Sequence, residues 1–220
     1  MIKTQTLPRF ARLALAALGF AALATSLPGC IPLLAGGALV GGMAATDRRT
    51  SGAQVEDEGI ELRASSRVRE TMGERAHINI TSYNRQVLLT GEVPSEQEKQ
   101  AVESLVSRVP NVRATVNELA VLGNSTLAQR SSDTLVTGKV KASLVDAKDM
   151  FANAFKVVTE RGVVYLMGRV TPREADRATA ITRSVGGVQR VVRILESITE
   201  DELRQMLPQP APAPTAPTKS

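Results

Sequence analysis

A single cysteine, Cys30, and a single histidine, His77, bound the chemistry open to this 220-residue chain. One thiol excludes an intramolecular disulfide and any thiolate metal site. His77 stands before a strand-like run with no second His or Cys to complete a zinc-type set, so it reads as a surface or edge residue. Ser131, Ser132 and Asp133 put hydroxyls beside a carboxylate, but that half of the chain has no histidine. They suit helix capping better than nucleophilic catalysis. Glu96, Glu98 and Glu174 fall in first helical turns, where carboxylates favour the dipole. The glycines of "AGGALVGG" precede no strand–helix unit and match neither phosphate-binding fingerprint. Trp is absent and Tyr83 and Tyr165 are the only tyrosines, which leaves no row of aromatics to stack nucleic-acid bases. No cofactor is expected, and an enzyme is the least supported reading.

The ends of the chain read differently from its middle. Residues 1–29 look like a secretory signal, with Lys3, Arg9 and Arg12 before the apolar run "LALAALGFAALATSL". Gly29 directly before Cys30, with Leu27 three before it, resembles the bacterial lipoprotein box. That resemblance implies a diacylglyceryl group on Cys30, cleavage before it and acylation of the new amine. Several acyl chains make a stable anchor. Ile31 after the Cys, rather than Asp, resembles the pattern sorted to the outer membrane in enteric-type bacteria. Residues 30–59 are expected to be the lipidated Cys and a flexible tether. Residues 199–220, with "PQPAPAPTAPTKS", are expected to be a disordered Pro-rich tail.

Between these ends a unit occurs twice. "VLLTGEVPSEQEK" at 87–99 and "VYLMGRVTPREAD" at 164–176 each give an alternating apolar run, a Gly, and a helix start of capping-box type. Gly91 and Gly168 fall late in their strands, where glycine marks a bulge or a close backbone approach. Upstream of each, a polar turn ("YNRQ", "ERG") joins a preceding strand into a hairpin. Further upstream still, Ala64, Val68 and Met72, and Val136, Val140 and Leu144, mark one face of a helix. Asp133 is placed as the N-cap of the second of these. "VRATVNEL" and "VQRVVRIL" supply third strands, parallel to the strand before the intervening helix. The fold expected is α+β: two tandem domains, residues 60–122 and 130–198, each α-β-β-α-β with two helices on one face of a three-stranded mixed sheet.

This order, with the "V.L.G.V" strand and capped helix repeated behind a lipoprotein box, resembles the BON domain family, and in particular its two-domain outer-membrane lipoproteins. The resemblance covers about residues 28–198. It implies a non-enzymatic envelope protein that binds anionic phospholipid, phosphatidylglycerol or cardiolipin, and supports envelope integrity and division-site function. It implies outer-membrane assembly or division proteins as partners, and not nucleic acid. It further implies that the lipid surface is the first helix of the second domain, carried by Thr134, Leu135, Val136, Gly138, Lys139, Lys141 and Ala142. In the family the position of Leu135 holds an aromatic residue that enters the membrane; Leu lacks that amphipathic ring.

Charge supports the asymmetry. Residues 60–121 carry eight Lys+Arg and eight Asp+Glu, whereas residues 130–198 carry twelve against seven. A basic surface favours anionic partners. Matching the two apolar stripes pairs Leu135 with Arg63, Ala142 with Glu70, and Lys139 and Lys141 with Arg67 and Arg69. On that pairing the second copy loses an acid and gains an apolar residue beside lysines, as insertion at a headgroup interface requires. Two readings stay open. Leu135 packs into lipid, or it packs against a neighbouring domain while the lysines meet an acidic protein or peptidoglycan partner.

Overall fold

The computed structural model describes residues 47–206 except Glu74. Both copies have the expected order. The first comprises α1 (Ser51–Met72), β1 (His77–Tyr83), β2 (Gln86–Val93), α2 (Glu96–Ser107), β3 (Ala114–Asn117) and β4 (Ala120–Val121). The second comprises α3 (Leu127–Asp146), β5 (Phe155–Glu160), β6 (Val163–Val170), α4 (Pro172–Ser184) and β7 (Arg190–Ser197), followed by α5 (Glu200–Met206). In each sheet the hairpin is antiparallel and the third strand runs parallel to the central one. In the first copy that third strand is broken: Glu118 and Leu119 separate β3 from β4, and both pieces pair with β2.

Three boundaries differ from the sequence expectation. Helix α1 begins at Ser51, inside the expected tether, because the Thr50 hydroxyl accepts the Ala53 N–H at 3.1 Å and caps it. Helix α3 begins at Leu127, not after Asp133; Thr126 and Gln129 form a reciprocal capping box there. Thr199 caps α5, whose Leu203 is buried, so the ordered chain runs past 198. Residues 1–46, including the proposed signal and Cys30, and the Pro-rich tail from 207 lie outside the described residues.

Asp133, instead of capping, is buried on the inner face of α3 and reads the hairpin turn beneath. Its two oxygens accept the N–H groups of Arg161 (2.8 Å) and Gly162 (2.9 Å). Asp57 on α1 does the same for Asn84 and Arg85, both at 2.7 Å. All four turn residues have positive φ, the two-residue hairpin geometry that Gly and Asn adopt readily and Arg does not. Each carboxylate thus holds in place a turn whose backbone is otherwise unfavourable. Asp133→Ala should strand two turn N–H groups and cost about 2 kcal/mol in a urea melt; an unchanged midpoint would show that water replaces the carboxylate.

The buried aspartates also correct the register between the copies. Asp57 corresponds to Asp133, so Ile60, Ala64 and Val68 correspond to Val136, Val140 and Leu144. The apolar-stripe match was one helical turn out, a slip that helical periodicity alone does not detect. In the corrected register Leu135 stands opposite Gly59, Thr134 opposite Glu58, Gly138 opposite Leu62, Lys139 opposite Arg63 and Val145 opposite Arg69.

The central strands are buried on both faces. Val87 and Leu89, like Val164 and Leu166, point to their own helices. Leu88, Tyr165 and Met167 point the other way and form a third core with Tyr83 and Ile194, so the two sheets pack against each other through their outer faces. Gly91 and Gly168 mark where the first strand of each hairpin crosses close. A Cβ on Gly91 would lie 2.0 Å from the His77 carbonyl oxygen, and one on Gly168 would lie 2.4 Å from that of Ala154.

Candidate functional site

Helix α3 has two apolar faces. One carries Val136, Val140 and Leu144 into the core. The opposite face meets solvent, yet Leu127 is 80% exposed and Leu135 and Val145 are each 66% exposed. Val145 follows Leu127 by five whole turns and so shares its azimuth; Leu135 lies about 80° around, with Gly138 and Ala142 between these azimuths. Gly138 has no atom within 4 Å of a built Cβ, so the centre of the stripe is flat. The helix is 20 residues long, which makes the stripe about 27 Å from end to end.

As far as Val145 the charge on this surface has one sign, and the exposed Asp146 closes the helix beside it. Between Leu127 and Val145 the only acid is Asp133, and it is buried. Lys139 and Lys141 are exposed on opposite flanks of the stripe and make no hydrogen bond or ion pair among the described residues. In the first copy the corresponding Arg63 is held by Glu56 at 2.6 Å, and Glu58 and Arg69 occupy the places of Thr134 and Val145. The second helix is therefore a cationic, apolar surface, while the first is a mixed-charge one.

Of the residues expected to form the site, Leu135, Gly138, Lys139 and Ala142 share the exposed face. Thr134 is exposed at its edge and donates its hydroxyl back to the Arg130 carbonyl at 2.9 Å. Lys141 borders a cleft of about 570 Å³ that Asp47, Arg49 and Tyr83 line from the first copy. Val136 does not belong: it is 5% exposed, and its methyl lies 2.8 Å from where a Cβ on Gly187 would stand. Leu127 and Val145 were missed. With the helix start placed at Asp133, Leu127 fell outside it; the "TLAQ" capping box carried the signal that would have included it.

The segment before α1 is also part of the assembly. Arg48 reaches the second copy, forming two hydrogen bonds to Glu174 (2.6 and 2.8 Å) and one to the Arg169 carbonyl (2.8 Å). Arg49 turns to the first copy, where it bonds Asp57 at 2.8 Å and stacks on Tyr83 at 4.4 Å. Among the described residues no helix is long and apolar enough to cross a membrane.

Comparison with known proteins fits this geometry. The BON domain family model matches residues 61–123 and 132–196. The chain is 34% identical over 172 residues to the outer membrane lipoprotein DolP of Haemophilus influenzae, covering 77% of this chain and 89% of that one. It is 31% identical over 154 residues to a 21 kDa hemolysin of Actinobacillus pleuropneumoniae, covering 69% and 79%. To the osmotically-inducible protein Y of Escherichia coli it is 28% identical over 123 residues, covering 54% and 61%.

Proposed function

This chain belongs to the BON domain family, and from that premise we propose that it is an outer-membrane lipoprotein, anchored through Cys30 at the periplasmic face, whose second domain reads anionic phospholipid through α3. Its role is to support envelope integrity and division-site function. The observation that carries this reading is the surface of α3: exposed Leu127, Leu135 and Val145 flanked by Lys139 and Lys141, which have no partner among the described residues, with no exposed acid from Leu127 to Val145. Apolar side chains at the headgroup boundary gain by leaving water, and each lysine near an anionic bilayer contributes about 1 kcal/mol. The relative named an outer membrane lipoprotein supports the location.

The test is flotation of residues 47–220, which lack the anchor, with vesicles at fixed salt. Vesicles containing phosphatidylglycerol or cardiolipin should carry the protein up the gradient, and purely zwitterionic vesicles should not. Leu135→Glu should remain at the bottom with both. Absence of flotation with anionic vesicles would overturn the lipid reading and leave an adaptor role for the domain pair.

A further inference from the structure

His77 is neither at the surface nor solitary. It lies on β1 directly across from Glu92 on β2, and its side chain is 17% exposed. From the second domain, Glu160 at the end of β5 reaches the same point. One ligand atom from each of His77, Glu92 and Glu160 lies within 4.8 Å of the others. We infer that these three side chains form a divalent-cation site of the zinc class, bridging the two domains, with a position left for water or an outside ligand.

Three observations converge on it. The first is spacing. His77 Nδ1 lies 3.1 Å from Glu92 Oε2, and two ligands on one tetrahedral zinc, each about 2.0–2.1 Å from the metal, stand about 3.3 Å apart. The second is charge. Glu92 and Glu160 are 0% and 6% exposed, and Arg161, 3.3 Å from Glu92 Oε1, is the one arginine or lysine among the described residues paired with either. Glu160 receives a hydrogen bond from the neutral Asn79 amide at 2.8 Å and no ion pair among the described residues. Two buried carboxylates facing one point with a single arginine leave negative charge that a divalent ion would balance.

The third is support and access. Bound metal ligands are oriented by hydrogen bonds from behind, and each of the two carboxylates has one. The Asn79 amide fixes Glu160. The Ser125 N–H donates to Glu92 Oε2 at 3.1 Å. In front, His77 and Glu160 line a cavity of about 360 Å³ with Arg130, Thr134 and Thr137 of α3, through which water or an ion can enter. An imidazole and two carboxylates suit a borderline cation such as Zn²⁺ rather than Mg²⁺ or Ca²⁺, which prefer all-oxygen sets. The inference does not depend on the lipid reading.

The experiment uses the full-length, untagged chain in mild detergent, titrated with Zn²⁺. Because His77 is the only histidine, its imidazole NMR signals report on this site alone. Saturable binding of one ion should shift those signals and raise the melting temperature by roughly 5–10 °C at a hundredfold excess over Kd. His77→Ala should abolish the response. Glu160→Gln, which keeps the Asn79 contact and removes a buried charge, should fold at least as well without zinc and bind it at least tenfold more weakly. Unchanged imidazole signals and melting temperature in the wild type, or equal zinc affinity in wild type and both variants, would overturn the site.

Discussion

Arg48→Met is expected to lower the unfolding free energy by about 3–5 kcal/mol, although Arg48 precedes the first helix. The Arg48 and Glu174 side chains are 4% and 1% exposed. Removing the arginine leaves a buried carboxylate with its cation gone, the costliest way to break such a pair. The double variant Arg48→Met/Glu174→Gln should recover most of the loss, because a neutral amide at Glu174 needs no cation and still accepts the Thr171 N–H. The pH dependence carries a sign that tests the cause. Burial alone would raise the Glu174 pKa, but hydrogen bonds from Arg48 and the Thr171 N–H outweigh it and hold the carboxyl below its ordinary value. Its contribution is therefore complete above the unfolded value, about 4.3, and is lost as pH falls through the folded one. Asp57, held low by Ser82, the Arg85 N–H and Arg49 against the opposing effect of burial, adds in the same direction. In Arg48→Met the Glu174 carboxyl is desolvated without its cation, so its sign reverses. Urea melts should show a deficit that is larger at pH 7 than at pH 4. An equal deficit at both would mean that lost packing against Phe151 (5.8 Å from the guanidinium) is the cause instead.

How much of this was legible in the sequence depends on the range of each signal. The strand, glycine and capping patterns are local, and the two α-β-β-α-β units, the parallel third strands and the close approaches at Gly91 and Gly168 could all be read from them. The "DRRTSG" stretch was not legible as structure, because Arg48 and Arg49 have no apolar periodicity; Asp57, which Arg49 bonds, is placed by the fold of the first copy, and Glu174, which Arg48 bonds, only by the packing of the domains. The same applies to Leu88, Tyr165 and Met167. A β-strand buried on both faces shows a continuous apolar run, and that run does not name what covers its second face. Asp133 was misplaced for a related reason: an aspartate near a helix start resembles a cap, and only the hairpin turn beneath distinguishes a cap from a buried clamp. The proposed lipid surface was half legible. Leu135, Lys139 and Lys141 stood out, while Leu127 and Val145 depended on the true helix ends, and Val136, rightly read on the core stripe, was also counted with the lipid residues.

The exposed stripe makes a stronger demand than the Leu135 substitution alone. Val145→Glu should weaken binding of residues 47–220 to vesicles containing phosphatidylglycerol or cardiolipin as severely as Leu135→Glu, by roughly 100-fold. Withdrawing one apolar side chain from a headgroup interface forfeits about 2 kcal/mol, and placing a carboxylate against an anionic surface costs about 1 kcal/mol more; together these amount to about two decades of affinity. Leu62→Glu is the matched control. Leu62 is 74% exposed on α1, at the position equivalent to Gly138, but it lies among Glu58, Arg69 and Glu70 rather than unpaired lysines, and its loss should leave binding unchanged. Lys139→Ala should cost about 1 kcal/mol and flatten the salt dependence without abolishing flotation. The pair of glutamate variants also fixes how the helix lies. Equal losses at positions 135 and 145 require the long axis of α3 to rest along the bilayer, because only then do sites ten residues apart both reach the interface. A loss at Leu135 with none at Val145 would mean that the helix meets the surface by its N-terminal half, with Val145 and Lys141 turned toward the cleft that Asp47 and Arg49 line.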